Sequence, residues 1–246
     1  MALPYVFVVA AQIFFIIHAA RTGRPSYWLY ILLFIPLFGI VAYVAFELLP
    51  GAANSPAARR TVGEAKRLVN PEGDYRSLIA KLELTPTVQN RRALADECVR
   101  LGRLDEAEGL YRDALTGLHA TDPYLMLGLA RVQFARNDPE ACLATLGEIR
   151  AANPAFQDAE AHMLYARTLE ALSRNDEALK EYDMLTRYFG GEEPRVRKGL
   201  LLRKIGDSEA ARQEFAEVKR SVERGPGFYR RNQRAWRRLA EENLRS

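Results

Sequence analysis

The chain has 246 residues, 48% of them apolar, with 35 basic against 31 acidic residues and a formal net charge of +4. Two cysteines, Cys98 and Cys142, are too few for a disulfide scaffold in a chain of this length, and the supply of Leu, Ala and Tyr excludes wholesale disorder. The averages hide a division: residues 1–50 hold 37 apolar residues and three charged ones (Arg21, Arg24, Glu47), whereas the other 196 residues hold 63 charges.

Leu3 to Ala20 is an uncharged run whose polar side chains are Gln12 and His18, and Tyr27 to Leu49 is a second run charged only at Glu47. Eighteen helical residues span roughly 27 Å, close to the hydrocarbon thickness of a bilayer. The connector Arg21 to Ser26 is short, polar and helix-breaking, so residues 1–50 are expected to form a transmembrane helical hairpin. A secretory signal needs a basic leading region, which Met1 to Val6 does not offer. Tyr27, Trp28 and Tyr30 read as an aromatic belt at the headgroup level, with His18, Arg21 and Arg24 beside it. Pro36 and Gly39 fall inside the second run, as a kink and a close-approach site or as residues simply tolerated there.

The residues His18-Ala19, Pro25, Tyr27-Trp28-Leu29, Pro36, Gly39 and Tyr43 make this segment resemble the phospholipase D-nuclease N-terminal domain, a two-helix membrane module. The resemblance covers about 45 residues and implies a bacterial inner-membrane location. It does not bring an enzyme. The family's activity requires a His with a Lys two residues on, and Ala20, Thr121 and Leu164 follow the three histidines at that spacing.

Residues 51–87 read as a linker: a flexible exit at Gly51 to Pro56, a short helix over Gly63 to Val69, a turn at Asn70 to Gly73 and a helix over Tyr75 to Leu84. The pattern of residues 74–84 leaves open whether they belong to the linker or to the repeats after it.

From Val88 the chain repeats. Ala95, Ala130, Ala166 and Gly199 recur at steps near 34. Twelve residues after each stands Ala107, Cys142, Ala178 or Ala211, four further on Tyr111, Leu146, Tyr182 or Phe215, and three further on Ala114, Ile149, Leu185 or Val218. Turn pairs intervene at Gly102-Arg103, Asn137-Asp138, Arg174-Asn175 and Gly206-Asp207. Small residues let two helices approach, and large ones fill the groove between them. Stacked pairs then share a continuous core. This pattern resembles the tetratricopeptide repeat family, in four units over residues 88–225. It departs from the family where Arg91, Met126, His162 and Arg195 replace an early aromatic, and where Lys198 replaces a core leucine. Residues 226–246 are expected to form a capping helix from Phe228 to about Leu244, with Phe228, Ala235, Trp236 and Leu239 toward the array. The fold class expected is therefore all-α: a transmembrane hairpin, an α-solenoid of about four repeats and a C-terminal basic cap.

No catalytic or cofactor motif stands out, and the histidines fall in no metal-ligand spacing. The two cysteines take core positions, where a thiol behaves as a small hydrophobe. The resemblance to tetratricopeptide repeats implies a concave groove lined by the first helix of each pair. The positions it assigns include Arg92, Tyr124, Leu127, Arg131, Phe134, Met163, Arg167 and Arg203, a set suited to a peptide with acidic and apolar side chains. The competing reading is a solvated face in which Glu160 and Glu170 neutralise Arg131 and Arg167.

The tail carries Arg230, Arg231, Arg234, Arg237, Arg238 and Arg245, for contact with anionic lipid or as the solvated face of the cap, with no nucleic acid expected. Arg59, Arg60, Lys66 and Arg67 outnumber Arg21 and Arg24, which puts the repeats on the cytoplasmic side. The function expected is that of a membrane-anchored, non-enzymatic scaffold or adaptor. The alternative is a lipid-metabolism subunit or membrane-protein assembly factor acting through the hairpin.

Overall fold

The computed structural model describes residues 3–22, 25, 27–44 and 70–245, all of them helical or in connections between helices. The chain divides into two compact units at Gly73/Asp74.

The N-terminal unit contains α1 (Leu3–Arg21), α2 (Tyr27–Phe34) and α3 (Pro36–Tyr43). Ala19, Trp28, Leu32 and Tyr43 form its buried centre. The second apolar run is broken because Pro36 has no N–H to give the carbonyl of Leu32. Gln12 of α1 meets that need: its Nε2 donates to the Leu32 oxygen at 2.8 Å and to the Leu33 oxygen at 3.2 Å. Gly39 follows the break under steric compulsion, since a Cβ there would stand 2.7 Å from the Ile31 carbonyl oxygen.

These facts correct the membrane expectation. The second run becomes two helices of eight residues, each roughly 12 Å long. Among the described residues no helix is long and apolar enough to cross a membrane. The two-span anchor in a bacterial inner membrane, with the repeats placed on its cytoplasmic side, is not supported. The aromatic belt also changes. Trp28 is buried with its ring edge-on to Tyr43, centroids 5.2 Å apart, and His18 Nδ1 lies 3.0 Å from the Tyr43 hydroxyl. Arg21 and Tyr27 are exposed, while Arg24, the expected helix over residues 63–69 and the four basic residues counted for sidedness lie outside the described residues.

The second unit begins with α4 (Gly73–Leu84) and then pairs helices: α5 (Val88–Arg100) with α6 (Leu104–Ala114), α7 (Pro123–Ala135) with α8 (Pro139–Ala152), α9 (Ala159–Ala171) with α10 (Asn175–Leu185), and α11 (Glu193–Lys204) with α12 (Ser208–Arg224). Tyr75, Leu78, Ile79 and Leu82 of α4 pack on the first core cluster, so residues 74–84 belong with the array and cover its first pair. The small residues and the groove-filling residues of every repeat are buried, from Ala95 and Tyr111 through to Ala211 and Phe215.

Each pair turns by the same device. Gly102, Asn137, Ser173 and Gly206 take positive φ. The next N–H bonds back to Cys98, Gln133, Leu169 and Leu202 respectively, which is the six-to-one bond of a Schellman motif. In the third repeat the turn sits at Ser173-Arg174, one residue earlier than the expected Arg174-Asn175. Asp122, Asp138, Asp158 and Asp207 then cap the helices that follow them through side-chain oxygens.

The fourth pair starts regularly despite Lys198. Its ammonium lies 2.9 Å from Asp183 Oδ1 and 2.8 Å from Glu214 Oε1, tying α11 to its neighbours α10 and α12. The expected single terminal helix is two, α13 (Gly227–Asn232) and α14 (Arg234–Arg245). At the break the Gln233 side chain accepts the Glu192 N–H at 3.0 Å, and the buried Glu192 carboxylate accepts the hydroxyls of Ser221 and Tyr229. Phe228 and Ala235 are exposed, whereas Tyr229, Trp236, Leu239, Ala240 and Leu244 meet the last core cluster.

Candidate functional site

First helices lie side by side in α5 with α7 and α7 with α9, and α14 lies beside α11; α9 and α11 share a core cluster through Met163, Ala166, Leu169 and Leu201. On this face the charged residues cross from helix to helix. Arg131 of α7 bonds Glu160 of α9 at 2.6 Å, with both side chains about half exposed or more. Arg92 stands 3.9 Å from Asp96, whose carboxylate also accepts the Tyr111 hydroxyl. Tyr124 is exposed and meets Phe156 edge-on at 5.3 Å.

Arg167 is different. It is half-buried, with its guanidinium carbon 4.8 Å from the centroid of the Phe134 ring. Glu170, the expected counter-charge, instead accepts the Tyr182 hydroxyl at 2.7 Å. Among the described residues no carboxylate stands within ion-pair distance of Arg167. Burial lowers its pKa, and the nearby positive charge of Arg197 lowers it further. Arg197 pairs with Glu193 at 2.7 Å and stands 5.9 Å from the centre of the Trp236 ring. Two arginines and two aromatic rings thus converge where α9, α11 and α14 succeed one another.

Two expected groove residues are corrected. Leu127 is 3% exposed and Met163 5%, each inside a core cluster, so neither offers surface to a partner. Val196 occupies the same phase in the fourth repeat and is also buried. That phase faces inward from the second repeat on. Arg203 is exposed on α11. Sequence reasoning missed Arg197 and the continuation of the row through Trp236. The signal for both was available, since Arg197 follows the inward-facing Val196 and Trp236 is the large aromatic of the cap.

The thiols carry no sign of reactivity. Cys98 and Cys142 are free and buried. Burial pushes the Cys98 pKa up to about 12 and raises that of Cys142. Among the described residues no cluster of His, Cys, Asp and Glu is arranged to hold a metal ion.

Residues 99–167 match the family model of the tetratricopeptide repeat. The array is an all-α solenoid of tetratricopeptide-like helix pairs. The match begins beyond the N-terminal helices and lends no support to the phospholipase D-nuclease resemblance. Among solved structures, MamA is 19% identical, with a TM-score of 0.55 over 66% of this chain and 95% of its own. A MamA fragment from Desulfovibrio magneticus RS-1 is 17% identical, with a TM-score of 0.55 over 66% of this chain and 93% of its own. TTC0263, a thermophilic tetratricopeptide protein of Thermus thermophilus, is 16% identical, with a TM-score of 0.56 over 76% of this chain and 97% of its own. At these identities the likeness is one of fold. No curated protein matches the chain, and no catalytic family is indicated.

Proposed function

We propose that this chain is a protein–protein interaction scaffold whose row of first helices receives a peptide segment bearing acidic and apolar side chains. Tetratricopeptide solenoids are typically scaffolds without catalytic activity, which makes a peptide the natural class of ligand. The observation that carries the acidic preference is Arg167: a half-buried guanidinium held on Phe134, beside a second arginine and with its expected carboxylate engaged elsewhere. A half-buried guanidinium with no carboxylate in direct contact has lost part of its hydration, and an incoming carboxylate could pair with it through a bidentate bond. Arg131 is already paired to Glu160 and its exposed bridge contributes little, so it ranks below Arg167 as an anchor. Trp236 on α14 and Tyr124 on α7 supply apolar contacts along the row.

The test is fluorescence anisotropy with labelled peptides that alternate Glu or Asp with Phe or Leu, against the same peptides carrying Lys in place of the acids. The acidic set is expected to bind selectively. Arg167→Ala should weaken it at least about tenfold, as expected for loss of a charge-assisted hydrogen bond, and Arg131→Ala should weaken it less. Equal binding of both sets, or an Arg167→Ala variant that binds like wild type, would refute the reading.

The basic tail fits the role of a solvated face on the cap. Arg237 pairs with Glu223 and Glu241, and Arg238 approaches Glu242 at 3.5 Å, so part of its charge is spent within the fold.

A further inference from the structure

A cavity of about 540 Å³ opens between α8, the loop after it and α9. Its floor is the buried Leu146 and Ile149 with Ala161, its walls are Phe156 and Tyr165, and the exposed Tyr188 and Arg150 stand at its mouth. It uses the face of α9 turned toward α8, not the one that carries Arg167.

One residue of its floor distinguishes the second pair from the others. The second helix of the first, third and fourth pairs buries an aromatic ring at one phase, as Tyr111, Tyr182 and Phe215. The second pair has Leu146 there, and Leu146 lines the cavity. Among the four pairs Leu146 is the aliphatic residue at that phase, and its side chain forms part of the cavity floor. The volume lies within the range of small-molecule sites and exceeds that of one side chain.

The cation at the mouth has only a long ion pair. Arg150 lies flat against Tyr165, 4.3 Å from the ring centroid. Its nearest acidic oxygen, Glu181 Oε2, is 3.9 Å away and already bonded to His162 Nε2. Asp158, which also lines the cavity, has Oδ1 engaged by the Ala161 N–H as the cap of α9. Arg150 is thus the cation at the mouth, and it stands beside aromatic faces.

We propose that this cavity binds a small planar aromatic carboxylate, its ring filling the space beside Leu146 and its acid group on Arg150. Ring faces stack offset or edge-on with aromatic walls, and the guanidinium fork holds a carboxylate in its plane.

The experiment uses the full chain with isotope-labelled Ile and Leu methyl groups, titrated with naphthalene-2-carboxylate and, in parallel, with naphthalene-2-methanol. Residue-specific signals separate this cavity from apolar surface elsewhere. The acid is expected to give saturable ring-current shifts at Ile149 and Leu146 and to bind more tightly than the alcohol. Arg150→Gln should weaken the acid about tenfold and leave the alcohol unchanged. Leu146→Phe should crowd the cavity floor and abolish the shift at Ile149. Absence of shifts at Ile149 and Leu146, equal affinity for acid and alcohol, or a folded Leu146→Phe variant that still binds would each overturn the proposal. Should Leu146→Phe not fold, the comparison of acid and alcohol in Arg150→Gln decides it alone.

Discussion

At Gly128 the array is decided by a single missing methyl. A Cβ built there would overlap the ring of Tyr111, which reaches across from α6 to α7 and is buried with its hydroxyl on Asp96. Gly128→Ala should therefore destabilise the protein by ~1–3 kcal/mol, the usual effect of overpacking a fitted core. Gly147, in the interior of α8, has open space where its Cβ would stand, so Gly147→Ala should stabilise by ~0.5–1 kcal/mol through helix propensity alone. Urea denaturation of both variants checks the contrast, and a loss at both sites would show that the packing argument misplaces the Tyr111 ring. The repeat's small positions were legible in the sequence because Ala95, Ala130, Ala166 and Gly199 recur in step. Gly128 was not, because it stands outside that recurring phase and its constraint comes from the Tyr111 ring of the preceding pair. The inward orientation of Leu127 was hidden for a different reason: α7 buries residues on almost every side, so its apolar pattern points no single way.

The elements are held at their ends more than by their intrinsic preferences. Asp138 precedes Pro139 at the start of α8 and accepts the Ala141 N–H at 3.1 Å. Asp138→Ala should cost ~1 kcal/mol, read as a lower urea midpoint with an unchanged slope. These caps could be foreseen from Asp-Pro and Asp-X pairs at the repeat step. The third turn could not, because Ser173 is an unusual residue for positive φ and the neighbouring Arg174-Asn175 pair looks more turn-like. Lys198 shows how a charge occupies an expected leucine position. Burial pulls its pKa down, but hydrogen bonds to Glu214 and Asp183 outweigh burial and hold it above the usual lysine value. The same bond to Lys198 holds the Asp183 carboxyl below the usual range. A carboxyl depressed in the folded state stabilises above its unfolded pKa, and that contribution disappears as pH falls through the folded pKa. Wild type should therefore be more stable than Asp183→Asn at neutral pH, with the two urea midpoints converging under acid. A constant gap down to pH values well below the aspartate range would contradict the assignment.

Across the whole molecule the net charge separates into +1 for residues 1–50, +2 for 51–87, −3 for 88–225 and +4 for 226–246. The sequence's hydropathy made residues 1–50 look like a membrane element because a window average cannot see that Pro36 frees a carbonyl for Gln12 to bind. The solenoid was legible because four copies of one pattern reinforce each other, whereas the break in the terminal helix depends on a single residue, Gln233.

In a repeat array each pair contacts only its neighbours, so stability is a sum of local terms and the ends need covers. Here α4 covers the first pair, and α13 and α14 cover the fourth, burying Val222 and Phe215 with Trp236, Leu239 and Leu244 packed over them. Glu192 fastens this cover, since its buried carboxylate accepts Tyr229 and Ser221 while its N–H goes to Gln233. The bond to Tyr229 is part of why that phenol's pKa, raised first by burial, is pushed up to about 12. Gln233→Ala removes one partner and leaves the Glu192 N–H unmet, at a cost of ~1–3 kcal/mol for a buried donor. Because coupling passes only between neighbours, the loss should not spread evenly. Hydrogen exchange should quicken in α14, α12 and α11, while α5 and α6, three pairs away, keep wild-type protection. Uniform acceleration along the array would mean that the solenoid unfolds as one cooperative block and that the cover acts on all of it.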